Sequence, residues 1–429
     1  VGTATPPQPP PSRNIHRARW IFPMHGRPCE NGAVAVVGKE VVAVGDFKKI
    51  KRDLSISNFD IVDLGDGIIV PGWVNAHTHL EFSDIEKPLG FPGIKFTDWI
   101  RRIVNQRLES NRLKSETNSI SRKSLAIKRG LLESRQSGTQ AIGEIATAPL
   151  ISNDYAQDDC PIITRCFFEQ LGRDPLNYPN QASELTSFLT QNQSNHPAFY
   201  RGASPHAPYS VSELLFNQIQ TISLSAVTPV AMHIAETLEE RELLEQGSGD
   251  FVDLLKDFGI WNPLDFNGGF SIAGILQQLS TAAHALIVHG NYLSDLELDF
   301  IAAHPQNMSL AFCPRTHRFF EHAPYPLQKI LDRKINLCLG TDSRASNPDL
   351  NLYKEAQEVA SSFPELSPIE ILKMATVNGS QALGLPSSIG TISENRRASL
   401  NFIKPSASLH AIHATDWIFD QTSQCIPVR

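Results

Sequence analysis

Eight short apolar runs, spaced along the middle of the chain and separated by stretches of helix length, restrict the fold more than any other feature. They are Val74–Leu80, Thr139–Ile145, Pro161–Leu171, Tyr200–His206, Pro229–Glu236, Ala285–Asn291, Met308–Arg315 and Ile335–Asp342. Most are followed by segments such as Ser121–Ser137, Ser212–Ser223 or Leu238–Phe258, which are long enough to be helices. Strands alternating with helices mean a parallel sheet, and eight of them suggest a closed barrel. The expected class is α/β, a (β/α)8 TIM barrel over residues 71–389. A chain of 429 residues suits such a barrel, which takes roughly 250, plus one small satellite.

The satellite is expected from the two ends together. From Arg17 to about Val70 short β-like runs alternate with turns, in a pattern that reads as antiparallel sheet, and Ala398–Ile403 and His413–Phe419 read as strands after the barrel. One composite β domain over 14–70 and 390–429 follows. Residues 1–13 are proline-rich and are expected to form an extended or flexible lead-in.

Composition narrows the function classes. With 41% hydrophobic and 19% charged residues the chain can bury a large core. A formal charge of −7 argues against a polyanionic partner, so a small-molecule substrate is expected and nucleic acid is not. The six cysteines form no CxxC pair, which fits a reducing cytoplasm better than a disulfide framework or a zinc ribbon. No apolar run approaches the ~20 residues needed to span a bilayer, and no leader pattern opens the chain.

In a TIM barrel the chemistry sits at the C-terminal ends of the strands. Here those ends carry His77 and His79, His206, His233 with Glu236, His289, and Asp342. Residues two apart on a strand share a face, so His77 and His79 can present both imidazoles to one ion. A further His at His233 and a carboxylate at Asp342 complete a ligand set of the kind hydrolytic zinc or iron sites use. Glu236, three residues after His233, is placed to shuttle protons. His289 could donate a hydrogen bond to an attacking water, and Asp342 could accept its proton. Each residue also has a plainer reading. An HxH pair can be incidental, His206 or His289 can be a hydrogen-bonded structural residue, Glu236 can cap the following helix, and Asp342 can be an N-cap.

Five segments, Val70–Glu81, Ser204–Ser210, His233–Thr237, Val288–Leu293 and Gly340–Asn347, resemble the amidohydrolase superfamily. The branch resembled is that of the S-adenosylhomocysteine and guanine deaminases and the triazine chlorohydrolases. The resemblance implies a distorted barrel with a small β-sandwich built from both termini, one divalent metal ion (zinc first, iron or manganese as alternatives), and often a homodimer. It implies His77, His79, His233 and Asp342 as metal ligands, Glu236 and His289 as acid/base and water-orienting residues, and His206 as a substrate contact. Binuclear members carry a lysine at the fourth strand, whereas Tyr200–His206 has none, which favours one metal.

The chain departs from that pattern at Cys313–Phe320, where Arg315 and His317 are expected to face the pocket and contact substrate. The competing reading pairs Arg315 with a neighbouring acid. The expected reaction is hydrolytic deamination of an amino-substituted nitrogen heterocycle. Hydrolysis of another leaving group on the same site, and a non-catalytic metal-binding barrel, are the alternatives.

Overall fold

The computed structural model describes residues 11–54, 58–113, 122–150, 152–155, 162–191, 198–266, 270–406 and 417–428. The chain forms two compact units, one from Val1–Gly72 with Gly390–Arg429 and one from Trp73–Ile389.

The unit built from the termini is a single eight-stranded sheet. Its first strands are β1 (Arg13–Ile21), β2 (Cys29–Val37), β3 (Glu40–Asp46), β4 (Asp60–Asp63) and β5 (Ile68–Pro71). The second unit contributes β6 (Trp73–Thr78), β7 (Thr139–Ala146), β8 (Ile163–Gln170), β9 (Phe199–Pro205), β10 (Val230–Ile234), β11 (Ala285–His289), β12 (Met308–Phe312) and β13 (Asn336–Leu339). The chain then returns to the first sheet as β14 (Arg396–Arg397), β15 (Leu400–Lys404) and β16 (Gln424–Val428).

Alternation along β2 sorts its side chains between two clusters. Val34 and Val36 join Ile21, Val41, Ile69, Leu400 and Phe402, while Ala33 and Ala35 pack with Ile50 from the helix Phe47–Asp53. The sheet is mixed rather than wholly antiparallel, because β1 runs parallel to β4 and β5. The expected strand at His413–Phe419 is also corrected. Its residues 413–416 lie outside the described part, Trp417–Phe419 form a buried turn, and the closing strand is Gln424–Val428. Both segments are equally β-like in composition, and only pairing with β15 distinguishes them. Of the proline-rich lead-in, residues 1–10 lie outside the described part, and Arg13 already begins β1.

In the second unit β6 to β13 lie side by side in chain order, all parallel where paired. Every residue of β6, β10, β11 and β12 is buried, which is why these strands read as unbroken apolar runs. The ring closes between β13 and β6 through little ladder. One bridge joins Thr78 to Asp342, and the His77 carbonyl accepts from the backbone N–H of Thr341 (3.1 Å) and of Asp342 (3.0 Å). Asn75 completes the join by donating to Thr341 Oγ1 (2.8 Å) and accepting from its N–H (3.0 Å). A Cβ at Gly340 would sit 2.8 Å from His77 Cβ, so glycine is what lets the two strands approach. The distortion thus falls where the candidate ligands lie.

The connecting helices start where their caps say. Ser212 accepts from Leu215 N–H, Thr237 from Glu240 N–H, and Ser294 forms a full capping box with Glu297. The segment Leu238–Phe258 is two helices, Leu238–Gln246 and Asp250–Asp257, broken by Gly247 (φ +62°) and Gly249 (φ +90°). No helix among the described residues is long and apolar enough to cross a membrane.

Candidate active site

His77, His79, His233 and Asp342 converge at the mouth of the barrel. The rings of His77 and His79 stand edge to face with centroids 4.8 Å apart, and His77 is 4.9 Å from His233. His233 Nδ1 lies 2.9 Å from the His206 carbonyl, which can only accept, so Nδ1 carries the hydrogen and Nε2 presents a lone pair. That Nε2 is 3.3 Å from His79 Nε2. Asp342 Oδ1 is 3.6 Å from His77 Nε2 and 3.7 Å from His79 Nε2, too far for hydrogen bonds but suited to sharing an ion.

The donor set fits a divalent metal. His77 is wholly buried, yet neither of its ring nitrogens has a hydrogen-bond partner, and His79 Nδ1 has none either. Buried polar atoms are rarely left so unless something else binds there. Ligand atoms of His77, His79 and Asp342 lie within 4.8 Å of one another, as do those of His77, His233 and His289. Burial first, and the neighbouring imidazoles next, push His79 and His233 well below the ordinary histidine range, which favours the neutral, ligating form of both. For Asp342 burial works in the opposite direction, but the surrounding His77, His289 and His79 hold its carboxyl far below the usual range.

The backbone around these groups is held in uncommon conformations. Asp342 has φ +57° and His289 φ +68°. Asp342 is fixed by Ser343 N–H (2.7 Å to Oδ1), by Ser346 Oγ (3.1 Å to Oδ2) and by Thr78 Oγ1, which donates to its carbonyl (3.2 Å). Tyr325 OH holds the His289 carbonyl at 3.1 Å. Non-glycine residues with positive φ cost energy and cluster where geometry serves function.

Glu236 lies 3.5 Å from His289 Nε2 and is buried. Burial, reinforced by the charges of Asp342 and Glu240, pushes its carboxyl well above the ordinary range, which favours its protonated form. Its aim is set by a residue that sequence reasoning missed. Glu240 is fully buried and accepts from Ala235 N–H (2.9 Å) and Glu236 N–H (3.0 Å), holding the Ala235 turn at φ +53°. The pattern Thr237–Glu240 at the helix start was the available signal. Glu144, two residues before the end of β7, was missed as well. Both of its oxygens accept from Leu80 N–H (3.0 and 3.2 Å), anchoring the loop that carries His79, and a lone glutamate in a strand gives no sequence signal.

A cavity of about 640 Å³ opens over the site and is lined by His79, His206, His233, Glu236, His289 and Asp342. That volume suits a small molecule. His206 enters it with Nδ1 held by Ser210 Oγ (2.6 Å) and a pKa pushed down to about 3 by burial and then by the charge of Arg107.

Arg315 and His317 are not in this cavity, and the expectation that they face substrate is corrected. Arg315 bonds Glu355 through Nε (2.5 Å) and through its N–H (2.9 Å), and Asp349 at 2.7 Å. His317 packs among Phe312, His322 and Tyr325. The same Glu355 accepts from Asn347 Nδ2 (2.6 Å), which also donates to the Thr341 carbonyl beside Asp342. Arg315 therefore supports the loop that carries Asp342 from behind. Replacing Arg315 with alanine should cost about 3–5 kcal/mol in urea unfolding, because Glu355 would be left buried and unpaired. A raised KM at unchanged stability would return Arg315 to the substrate.

Comparison with known proteins came to the same group. The amidohydrolase family profile matches residues 68–426. The chain is 26% identical over 346 residues to aminodeoxyfutalosine deaminase of Nitratiruptor sp., covering 78% of each chain. It is 26% identical to 5-methylthioadenosine/S-adenosylhomocysteine deaminase of Pyrococcus furiosus, over 87% of this chain and 80% of the relative. Among solved structures, aminofutalosine deaminase of Helicobacter pylori in complex with methylthio-coformycin superposes with a TM-score of 0.75 at 22% identity, over 91% of this chain and 92% of that one. Atrazine chlorohydrolase of Arthrobacter aurescens, complexed with zinc, gives 0.68 at 15% identity, over 91% and 86%. With its profile matched across the barrel and from β5 into β16 of the terminal sheet, this chain belongs to the amidohydrolase family of enzymes.

Proposed function

We propose that the chain is a metal-dependent hydrolytic deaminase of an amino-substituted nitrogen heterocycle of the purine nucleoside class. In this reading His77, His79, His233 and Asp342 hold one divalent ion, zinc in the first instance. The observation that carries it is the buried Glu236, 3.5 Å from His289 Nε2, in the same cavity as His79, whose Nδ1 has no partner in the protein. The relatives named aminodeoxyfutalosine deaminase, 5-methylthioadenosine/S-adenosylhomocysteine deaminase and adenosine deaminase favour ammonia as the leaving group.

A divalent ion bound there would lower the pKa of a water molecule from about 15.7 to near 7. Everything else falls to side chains. Ionised Asp342 takes a proton from the water as its oxygen forms a bond to the ring carbon, and His289 orients that oxygen. Glu236 gives its proton to the adjacent ring nitrogen, which makes the carbon electrophilic. The carbon–nitrogen bond then breaks, the amine leaves as ammonia with the proton from Asp342, and the new hydroxyl returns its proton to Glu236. Both carboxyls end as they began.

The test is ammonia release by protein loaded with equimolar zinc, against aminopurines, adenosine derivatives, pterins, aminopyrimidines and aminotriazines. Ammonia from a purine nucleoside is the expected result. Release of chloride from a chlorotriazine without ammonia from any amine would replace the leaving group, and silence across the panel would overturn the reading.

A further inference from the structure

The cavity over the site has two unlike walls. One is apolar, built by Phe96, Trp99, Ile103, Leu254, Leu255 and Phe258. The other carries hydrogen-bond acceptors with nothing to accept. Glu169, the penultimate residue of β8, is 5% exposed and lines the cavity, and its Oε1 has no hydrogen-bond partner. Gln181, in the helix Tyr178–Thr190, donates its amide nitrogen to the Leu171 carbonyl (2.9 Å), which leaves its buried Oε1 unpartnered as well.

Neighbouring groups do not fill these vacant bonds. His206 Nε2 is 3.9 Å from Glu169 Oε1, beyond hydrogen-bond range. It is also of the wrong kind. Ser210 Oγ gives its hydrogen to the Ala207 carbonyl (3.1 Å) and so accepts from His206 Nδ1, which leaves Nε2 as another acceptor. Arg107, the nearby cation, is turned to Glu81 (2.5 Å). A buried acceptor left without a donor is destabilising, so a ligand that fits this wall brings donors with it.

We infer that Glu169 is a specificity-determining residue. Together with Gln181 it accepts hydrogen bonds from the hydroxyls of a polyhydroxylated, glycosyl-like substituent on the heterocycle. A heterocycle bearing only an alkyl group leaves both oxygens unpaired and is rejected. Sites built to bond a hydroxyl discriminate strongly against analogues that lack it. The substituent follows from the reading of the site as a deaminase of purine nucleoside-like compounds, but its recognition can be measured without turnover.

The experiment titrates zinc-loaded full-length protein with inosine and with 9-methylhypoxanthine, neither of which has an amine to lose, and follows adenosine turnover in parallel. Wild type should bind inosine at least about tenfold more tightly than the methyl compound. Glu169→Leu should abolish most of that preference by weakening inosine alone, Glu169→Gln, which keeps one acceptor, should fall between, and zinc content should stay constant. With adenosine, KM should rise in Glu169→Leu while kcat changes little. Equal loss for both ligands, a fall in kcat alone, or a wild type that does not discriminate would each overturn the inference. Should Glu169→Leu fail to fold, Gln181→Leu makes the same comparison from the helix. Discrimination in binding with no ammonia from adenosine or any other amine of the panel would refute the deaminase reading while leaving Glu169 its role.

Discussion

Exchanging Glu236 for glutamine should lower kcat by a factor of about 10²–10⁴ while metal content and the unfolding midpoint stay at wild-type values. The two side chains have the same shape, and the backbone that aims this one is held by others, through Glu240 on its N–H and Asn291 on its carbonyl. What glutamine lacks is the proton. Burial favours the protonated carboxyl of Glu236, which lies 3.5 Å from His289 Nε2. A variant with wild-type kcat on an identified substrate would remove Glu236 from the reaction. One that lost its metal as well would show that Glu236 serves the ion rather than the ring.

Asp342→Asn should have the second large effect, on the metal itself. Asparagine tolerates the left-handed backbone at φ +57°, its one side-chain oxygen can still accept from Ser343 N–H, and its Nδ2 can donate to Ser346 Oγ, so the closure of the barrel at Thr78 should survive. The charge does not survive. Losing outer-shell partners of a metal typically costs about 10–100-fold in affinity, and loss of a ligating charge should exceed that. Metal analysis after gel filtration should find the variant empty, with ammonia release gone and secondary structure intact by circular dichroism. A variant that keeps its ion would mean that His289, whose ligand atom lies near those of His77 and His233, has taken the place of Asp342.

The barrel and the heart of its site are legible in the sequence for one physical reason. Parallel strands covered on both faces are continuously apolar, so a polar residue at the end of such a run stands out. Each of the eight runs overlaps one strand of the barrel, and each of His77, His79, His206, His233, Glu236, His289 and Asp342 lies at or near the strand end where it was expected. What was not legible depends on partners distant in sequence. Arg315 looks like a pocket residue until Glu355 and Asp349 are brought against it. Glu169 sits in Phe-Phe-Glu-Gln, a stretch with no motif, and its interest arises only from the donor it lacks. Between His413–Phe419 and Gln424–Val428 composition does not choose, and strand pairing does.

The central claim is that side chains at the barrel mouth hold one ion on which turnover depends. Exhaustive chelation with metal analysis and ammonia release measured on the same samples tests it most directly. The account predicts one ion per chain in active protein, no turnover once it is stripped, and recovery when zinc is returned. Undiminished turnover by metal-free protein would contradict it.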